Sequence, residues 1–210
     1  MSSVSAGRAA EALRAGKVAL VPTETVVGLV AAESGLQRIR EIKGRDADKP
    51  IALLCISAEV AFGLADNVSP LARTLAALYW PGPLTLVLDL PQEETIGVRV
   101  PAGRAVRELL AAYGGPLYAT SANPSGEPAP KGLDDVDERV IREVDVVVTG
   151  EPGSGEASAV VDLSGGNTRL LRADSELSTE KLTSLADERK SLSEEADKPE
   201  CCNERSPHAW

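Results

Sequence analysis

Histidine is almost absent from this chain of 210 residues, because His208, close to the C-terminal end, is the only one. Catalysis by a histidine-dependent triad or dyad in the folded core is therefore excluded. Cysteine is nearly as scarce. Cys55 lies inside an apolar run, where we interpret it as a small buried hydrophobic residue, and Cys201 and Cys202 are adjacent in the polar C-terminal segment. No CxxC spacing and no Cys/His ligand set occurs, so neither a structural zinc site nor any other metal-binding residue is predicted.

The chain also lacks long apolar runs and an excess of positive charge. No run approaches the roughly 18 residues of a membrane-spanning helix, and the N-terminus does not have the charged-then-apolar layout of a secretory signal. We therefore expect a soluble cytoplasmic protein without a membrane partner. The net charge of -10 argues against non-specific affinity for nucleic acid, although a local basic pocket could still hold a small anion.

Three cations lie close together in this otherwise acidic chain. They are Lys43, Arg45 and Lys49. Apolar residues predict a helix over 34–43 that starts at a Ser34 cap and ends at Gly44, because glycine tolerates a left-handed cap. A buried strand is predicted over 51–55, so the cations belong to a short helix-to-strand loop. Fixed cations on such a loop suit a phosphate group. The alternative is a solvated surface loop, because helix C-termini attract cations in any case.

Hydrophobic spacing and turn residues predict further helices and strands. The helices are expected over 5–15, 58–65, 70–79, 105–113 and 134–143, with Ser5, Ser57 and Ser69 as caps of the first three. The strands are expected over 18–21, 84–90, 95–101, 116–119, 144–148, 159–163 and 168–172. Two neighbouring pairs have hairpin-like spacing, 84–90 with 96–100 and 159–163 with 168–172. This irregular order predicts an α/β fold with a mixed sheet.

The composition changes at Ser175, where glutamate, serine, lysine and aspartate begin to dominate. One folded domain is predicted over 1–174, followed by an acidic and largely disordered tail over 175–210. A solvated helix is expected in this tail over 179–192.

Polar side chains follow two of the predicted strands. Thr23 and Thr25 come directly after the strand over 18–21, and the hydroxyl and amide cluster over 120–126 follows the strand over 116–119. α/β proteins place ligand groups at such strand ends. The alternative for the two threonines is a turn in which their hydroxyls bond the backbone. Arg99 interrupts an apolar run, so it lies on a sheet edge or points into a site.

The glycine motifs of the chain do not indicate a known nucleotide-binding fold. The glycines within 153–158 are followed by a predicted strand where a dinucleotide-binding fold has a helix, and no P-loop pattern occurs. Any nucleotide must be held by other means.

Six short motifs occur in a fixed order. They are Pro22-Thr23-Glu24-Thr25 with Gly28-Leu29, Lys43-Gly44-Arg45 with Lys49-Pro50, Trp80-Pro81-Gly82-Pro83-Leu84-Thr85, Val98-Arg99-Val100-Pro101, Thr120-Ser121-Ala122-Asn123 with Ser125-Gly126, and Ser158 before Val160-Val161-Asp162. In this order and spacing they resemble the YrdC-like family of threonylcarbamoyl-AMP synthases, and the resemblance covers about residues 5–174. It implies a twisted mixed α/β sheet with flanking helices and a large concave cavity.

The resemblance also implies a reaction. L-threonine, bicarbonate and ATP would give threonylcarbamoyl-AMP and pyrophosphate, a nucleotidyl transfer whose product feeds the N6-threonylcarbamoyl modification of adenosine 37 in tRNA. ATP is then a substrate, and Mg²⁺ is expected to bridge its phosphates. The expected protein is a monomer. Direct contact with partner proteins of the tRNA-modification pathway and weak RNA binding are left open.

Site residues follow from the resemblance position by position. Lys43 and Arg45 correspond to catalytic cations. Nucleotide contacts are expected from Arg45, Lys49, Thr95, Ser121, Asn123 and Arg172. Threonine contacts are expected from Thr25, Arg99 and Ser158, with Arg99 on the substrate carboxylate.

Three positions depart from the family pattern. Val27 replaces an aromatic residue, Leu54 replaces a polar one that is often histidine, and Ala129 replaces a common serine. Two other functions are alternatives. One is a carbamoyltransferase-like relative similar to a domain of hydrogenase-maturation proteins. The other is a double-stranded RNA-binding module, which the net charge disfavours.

Overall fold

Ten strands form one sheet in the described part of the chain, which comprises residues 3–44, 50–91 and 94–196 of a computed structural model. The strands are β1 (Ser3–Val4), β2 (Val18–Pro22), β3 (Val27–Ala31), β4 (Ala52–Leu54), β5 (Leu84–Asp89), β6 (Thr95–Arg99), β7 (Leu117–Ser121), β8 (Val146–Val148), β9 (Ala159–Asp162) and β10 (Arg169–Arg172). Their order across the sheet is β1-β8-β2-β3-β7-β4-β6-β5-β9-β10.

The sheet mixes parallel and antiparallel pairs, as the sequence predicts. β4 with β6 and β5 with β9 are parallel pairs, whereas β3 pairs antiparallel with both β2 and β7. Both predicted hairpins are confirmed, because β5 pairs antiparallel with β6 and β9 with β10. The mixed α/β fold is therefore confirmed.

Seven α-helices flank the sheet in the described ranges. They are α1 (Ala6–Arg14), α2 (Leu36–Lys43), α3 (Ala58–Phe62), α4 (Pro70–Tyr79), α5 (Arg104–Tyr113), α6 (Glu138–Glu143) and α7 (Thr179–Ala196). None of these helices has the length and hydropathy needed to cross a lipid bilayer.

Several predicted helix ends are confirmed. The Ser57 and Ser69 hydroxyls each accept a hydrogen bond from the backbone N–H three residues later, and Gly44 has the left-handed conformation of a C-cap at φ 55°. Two expectations are wrong. Ser5 makes no side-chain capping bond, and α2 begins at Leu36 after a short 3-10 turn rather than at a Ser34 cap.

β3 is a strand that the sequence analysis left unassigned. All of its residues are buried, and it lies between β2 and β7 in the middle of the sheet. Its apolar run is continuous, because both of its faces are covered, so it does not show the alternation that marks a half-exposed strand.

Three clusters of buried side chains form the core. On the β2 side of the sheet, α1 and α5 cover one face and α2 and α6 cover the other. Around β5, Leu84, Leu86 and Leu88 pack with residues of α3, α4 and α7. Cys55 is buried in this last cluster, which confirms its interpretation as a small hydrophobic core residue, and burial raises the pKa of its thiol to about 12.

The expected solvated helix in the tail is wrong for its first turns. Leu177 and Leu182 are buried in the core cluster around β5, and Leu185 and Ala186 pack against it. Lys181 also lies over the Tyr79 ring at the end of α4, with Nζ 5.1 Å from the ring centroid. Residues 197–210 lie outside the described residues, and a domain boundary after residue 174 stays a prediction.

Candidate functional site

A cavity of about 630 Å³ lies against the face of β5 that points away from α4. Thr85 and Val87 line it, whereas the alternating Leu84, Leu86 and Leu88 point into the core. Pockets of roughly 300–1,000 Å³ commonly hold small molecules or cofactors. The expected concave cavity is thus present.

The cavity wall collects every predicted site residue within the described ranges. They are Thr25, Lys43, Thr95, Arg99, Ser121, Asn123, Ser158 and Arg172. The other two predicted residues, Arg45 and Lys49, lie outside the described residues. These side chains come from α2 and five different strands or strand ends, so the fold, and not one motif, assembles the site.

The threonine turn between β2 and β3 forms one wall. Thr23 Oγ1 donates to the Val26 carbonyl oxygen at 2.7 Å, so the predicted turn with backbone-bonded hydroxyls is correct for Thr23. Thr25 Oγ1 instead lies 2.8 Å from Thr23 Oγ1 and accepts from Arg99 Nη2 at 3.0 Å. The turn therefore both stabilises itself and presents a hydroxyl to the cavity.

A glycine loop supports the same turn from behind. The backbone N–H groups of Ser154 and Gly155 donate to the Glu24 and Thr25 carbonyl oxygens at 2.9 and 2.8 Å. A Cβ atom on Gly153 would collide with the Thr25 carbonyl group. The glycine motif that did not fit a dinucleotide site thus serves close backbone packing.

Arg99 is buried at the C-terminal end of β6 and points into the cavity, which excludes the sheet-edge alternative. Its Nε donates to the Gly82 carbonyl oxygen at 3.1 Å, and its Nη2 donates to Glu24 Oε1 at 2.5 Å as well as to Thr25. Among the described residues, no protein acceptor is hydrogen-bonded to Nη1 of Arg99. Its guanidinium is thus held on two sides and retains donor capacity for an anion.

Glu24 is the counter-ion that the sequence analysis did not single out. Its second carboxylate oxygen accepts a hydrogen bond from the Gly103 N–H at 2.8 Å, just before α5. Burial raises the pKa of this carboxyl group, but the charge and hydrogen bond of Arg99 together with backbone hydrogen bonds outweigh burial and leave the pKa below its ordinary value. Glu24 is therefore ionised at neutral pH.

Arg172 brings a second guanidinium to the cavity. Its Nε donates to the Ser158 carbonyl oxygen at 2.7 Å, and its Nη2 lies 3.3 Å from Ser158 Oγ, which in turn is 3.0 Å from Thr85 Oγ1. The pKa of Arg172 is lowered, first by burial and then by repulsion from Arg99, although Asp174 opposes the shift. Two mutually repelling cations in one cavity favour an anionic ligand.

Lys43 occupies a different position from the one that its sequence context predicts. It is the last residue of α2, it is buried, and its Nζ donates to the Ser121 carbonyl oxygen at 2.5 Å and to the Asn123 carbonyl oxygen at 2.8 Å. A further contact joins Nζ to Asn123 Oδ1 at 3.3 Å. The ammonium group therefore fixes the end of β7 while its charge stays at the cavity wall. A solvated surface position is wrong for this cation.

The remaining predicted nucleotide contacts lie on two strand ends. Thr95 is exposed at the start of β6, and Ser121 ends β7. The Asn123 side-chain amide donates to the Pro124 and Glu127 carbonyl oxygens, so it also shapes the loop that follows β7.

Of the three departures from the family pattern, Leu54 is the one that lines the cavity. Val27 is fully buried in the core cluster beside α2 and α6, and Ala129 is half-buried. The substitution at position 54 therefore bears most directly on ligand binding.

The described residues contain no group of three or more histidine, cysteine, aspartate or glutamate side chains arranged to hold a metal ion. Among the described residues, Asp162 is the carboxylate that lines the cavity, and Ser164 and Arg169 already bond its oxygens. Mg²⁺ commonly takes most of its ligands from substrate phosphates and water, with one or two carboxylates, so this wall fits a phosphate-held ion.

Comparison with known proteins was made by sequence and by fold. A family model described as "Telomere recombination", which covers the Sua5, YciO and YrdC proteins, matches residues 11–174. The threonylcarbamoyl-AMP synthase of Pyrococcus abyssi is 38% identical over 177 residues, which is 78% of this chain and 52% of that protein. This chain therefore spans about half the length of that relative.

A shorter relative and a solved structure are similar over most of the chain. The putative threonylcarbamoyl-AMP synthase of Mycobacterium tuberculosis is 32% identical over 187 residues, covering 83% of this chain and 85% of that protein. The crystal structure of P. abyssi Sua5 complexed with L-threonine is 34% identical with a TM-score of 0.79, covering 86% of this chain and 56% of the solved one.

Proposed function

Because this chain belongs to the Sua5/YciO/YrdC family, we propose that it is an L-threonylcarbamoyladenylate synthase. It forms threonylcarbamoyl-AMP and pyrophosphate from L-threonine, bicarbonate and ATP, and is thus a nucleotidyltransferase. Its product serves the threonylcarbamoyl modification of tRNA in the cytoplasm. The observation that carries the proposal is the convergence of Arg99 and Arg172 with the hydroxyls of Thr25 and Ser158 on one concave cavity.

The proposed reaction has two steps. The threonine amine attacks the carbon of bicarbonate, and loss of water gives a carbamate. A carbamate oxygen then bonds to the α-phosphorus of ATP while the bond from that phosphorus to the bridging oxygen breaks, and pyrophosphate leaves with the electron pair. Such a transfer depends mainly on positioning and on neutralising phosphate charge, so the lack of a core histidine is no obstacle.

The cavity residues divide these tasks. Arg99, fixed by Glu24 and Gly82, holds the threonine carboxylate, and Thr25 and Ser158 bind the same substrate. Arg172, Thr95, Ser121 and Asn123 are assigned to the nucleotide on sequence grounds. Lys43 contributes charge and holds the end of β7, while Arg45 and Lys49 are assigned to the phosphates on sequence grounds. Mg²⁺, when bound through phosphate oxygens, would neutralise further phosphate charge.

The first test is the substrate requirement. Pyrophosphate release from ATP is expected to need both L-threonine and bicarbonate, because the attacking carbamate forms only from the two together. Release is measured with each substrate omitted in turn, and adenylate products are identified by mass. Pyrophosphate release that proceeds equally well without threonine would contradict the assignment.

A pair of matched variants tests the site itself. Arg99→Lys removes the planar fork and is expected to raise the KM for threonine about tenfold to a hundredfold, while the KM for ATP changes little. Arg104→Lys is the control, because Arg104 is 92% exposed and pairs with Glu108 on the surface. If both variants change the KM for threonine equally, Arg99 does not bind the threonine carboxylate.

A further inference from the structure

The C-terminal helix α7 lies behind the cavity rather than over it. Leu182 of α7 and Leu177, which precedes the helix, share a core cluster with Leu84, Leu86 and Leu88, whereas the opposite face of β5 lines the cavity. A helix packed on this side of β5 does not cover the cavity, and the chain that connects it to β10 is a direct route by which it can act on the site.

That connection begins at Arg172, the last residue of β10. β10 is the outermost strand of the sheet, pairs with β9, and has an irregular register between Leu170 and Arg172. Its end is therefore weakly fixed by the sheet itself. The Arg172 guanidinium nevertheless reaches back to both the carbonyl oxygen and the hydroxyl of Ser158.

Asp174 joins the start of α7 to the strand that carries Ser158. One carboxylate oxygen accepts at 3.0 Å from the Ala159 N–H, which also donates to the Pro83 carbonyl oxygen at 2.9 Å. The other accepts from the Glu176 and Leu177 N–H groups at 3.0 and 2.8 Å. A second link lies beside it, since the Glu156 carboxylate accepts from the backbone N–H and the hydroxyl of Ser175 at 2.8 and 2.7 Å. Asp174 and Ser175, which follow Arg172, are thus tied to Ala159 and Glu156, which flank Ser158.

We propose that Asp174 is a positioning residue of the cavity, through which the docking of α7 holds Arg172 against Ser158 and keeps its guanidinium directed at the ligand. In this arrangement α7 belongs to the machinery of the site even though it lies beyond the matched family segment. The competing interpretation is that Asp174 merely caps the start of α7. The test rests on the proposed function, because ATP is its substrate, but equilibrium binding of ATP is measured without turnover.

The test is a double-mutant cycle between Asp174 and Arg172 in the full chain. Asp174→Asn leaves one acceptor oxygen, which can serve Ala159 or the start of α7 but not both. We expect this variant to weaken ATP binding about tenfold, Arg172→Ala to weaken it about tenfold to a hundredfold, and the double variant to be no worse than Arg172→Ala alone. The KM for threonine should change less than the KM for ATP.

The matched control is Asp66→Asn, because Asp66 is exposed and its carboxylate makes no hydrogen bond within the described residues. Glu156→Gln weakens only the second link and should weaken ATP binding about threefold. If circular dichroism shows that Asp174→Asn does not fold, Glu156→Gln replaces it in the double-mutant cycle. Effects of Asp174→Asn and Arg172→Ala that multiply in the double variant would overturn the proposal, as would unchanged ATP binding in Asp174→Asn. If the wild-type protein binds ATP but its pyrophosphate release does not depend on threonine, the proposed function is refuted. The double-mutant cycle on ATP binding can still be measured in that case.

Discussion

Arg99 of the cavity wall forms an ion pair with Glu24, and the exposed side-chain fractions of the two residues are 9% and 20%. An unpaired guanidinium at this depth would be costly, so Glu24 is what makes a buried Arg99 tolerable. Because Glu24 also accepts from the Gly103 N–H, the pair links the threonine turn to the start of α5. The group that would bind a substrate carboxylate is therefore held before any ligand arrives.

The lowered pKa of Glu24 predicts a defined pH dependence of stability. A carboxyl group with a depressed folded-state pKa stabilises the protein above its ordinary value of 4.5, and this contribution is lost as the pH falls through the folded-state pKa. Glu24→Gln should therefore lower the free energy of unfolding by about 1–3 kcal/mol at pH 7, with the difference from wild type shrinking below pH 4.5.

Denaturant unfolding at a series of pH values measures this difference. Glu108→Gln is the control, since its surface pair with Arg104 should contribute within about 1 kcal/mol at any pH. If the loss of unfolding free energy in Glu24→Gln stays constant below pH 4.5, Glu24 stabilises the protein by packing and not by its charge.

Much of the cavity wall could be predicted from short motifs, because Thr25, Arg99 and Ser158 each stand in a recognisable local pattern. The role of Glu24 could not, although it stands within the first motif, since its partner Arg99 is 75 residues away. Lys43 shows the same limit. Its position at a helix end suggested a solvent-facing loop, whereas the acceptors that bury its ammonium come from the end of β7.

At the scale of elements, α7 is docked on the core of the domain, whereas the sequence predicted a solvated helix. Its composition is polar enough to predict a solvated helix, but composition averages over the helix and a few leucines suffice to dock it. Leu182 of α7 enters the same core cluster as Leu177, which precedes the helix, and the neighbours that these leucines pack against are set by the tertiary structure. β3 was missed for the opposite reason, because its uniformly apolar run shows no period.

The docking of α7 predicts a measurable stability loss. Leu182→Ala removes a side chain that is 4% exposed and should lower the free energy of unfolding by about 2–5 kcal/mol, because it leaves a cavity in the cluster around β5. Leu78→Ala makes the same change at a leucine that is 59% exposed on α4, and should cost no more than about 0.5 kcal/mol. Chemical denaturation compares the two. Equal and small effects would restore the view of a solvated tail.

At the scale of the whole molecule, the net charge is negative, whereas the cavity wall carries positive charge. The net charge is -10, yet Lys43, Arg99 and Arg172 all face one cavity. Lys43 and Arg99 are buried and therefore shielded from salt, so a small anion inside the cavity experiences them more strongly than a polyanion that spans the outer surface. This division favours a nucleotide over a nucleic acid duplex as the anionic ligand.

A salt titration separates these two ligands. A double-stranded RNA of about 16 base pairs must contact phosphates over a long surface, and each neutralised phosphate steepens the dependence of affinity on salt. We expect RNA binding by this acidic chain to be weaker than about 10⁻⁴ M at physiological salt, and ATP binding in the same salt series to persist. Fluorescence anisotropy with labelled RNA, repeated with saturating ATP, gives both quantities. Tight RNA binding with a steep salt slope that ATP abolishes would instead place the duplex in the cavity and make the double-stranded RNA-binding module the better description of this protein.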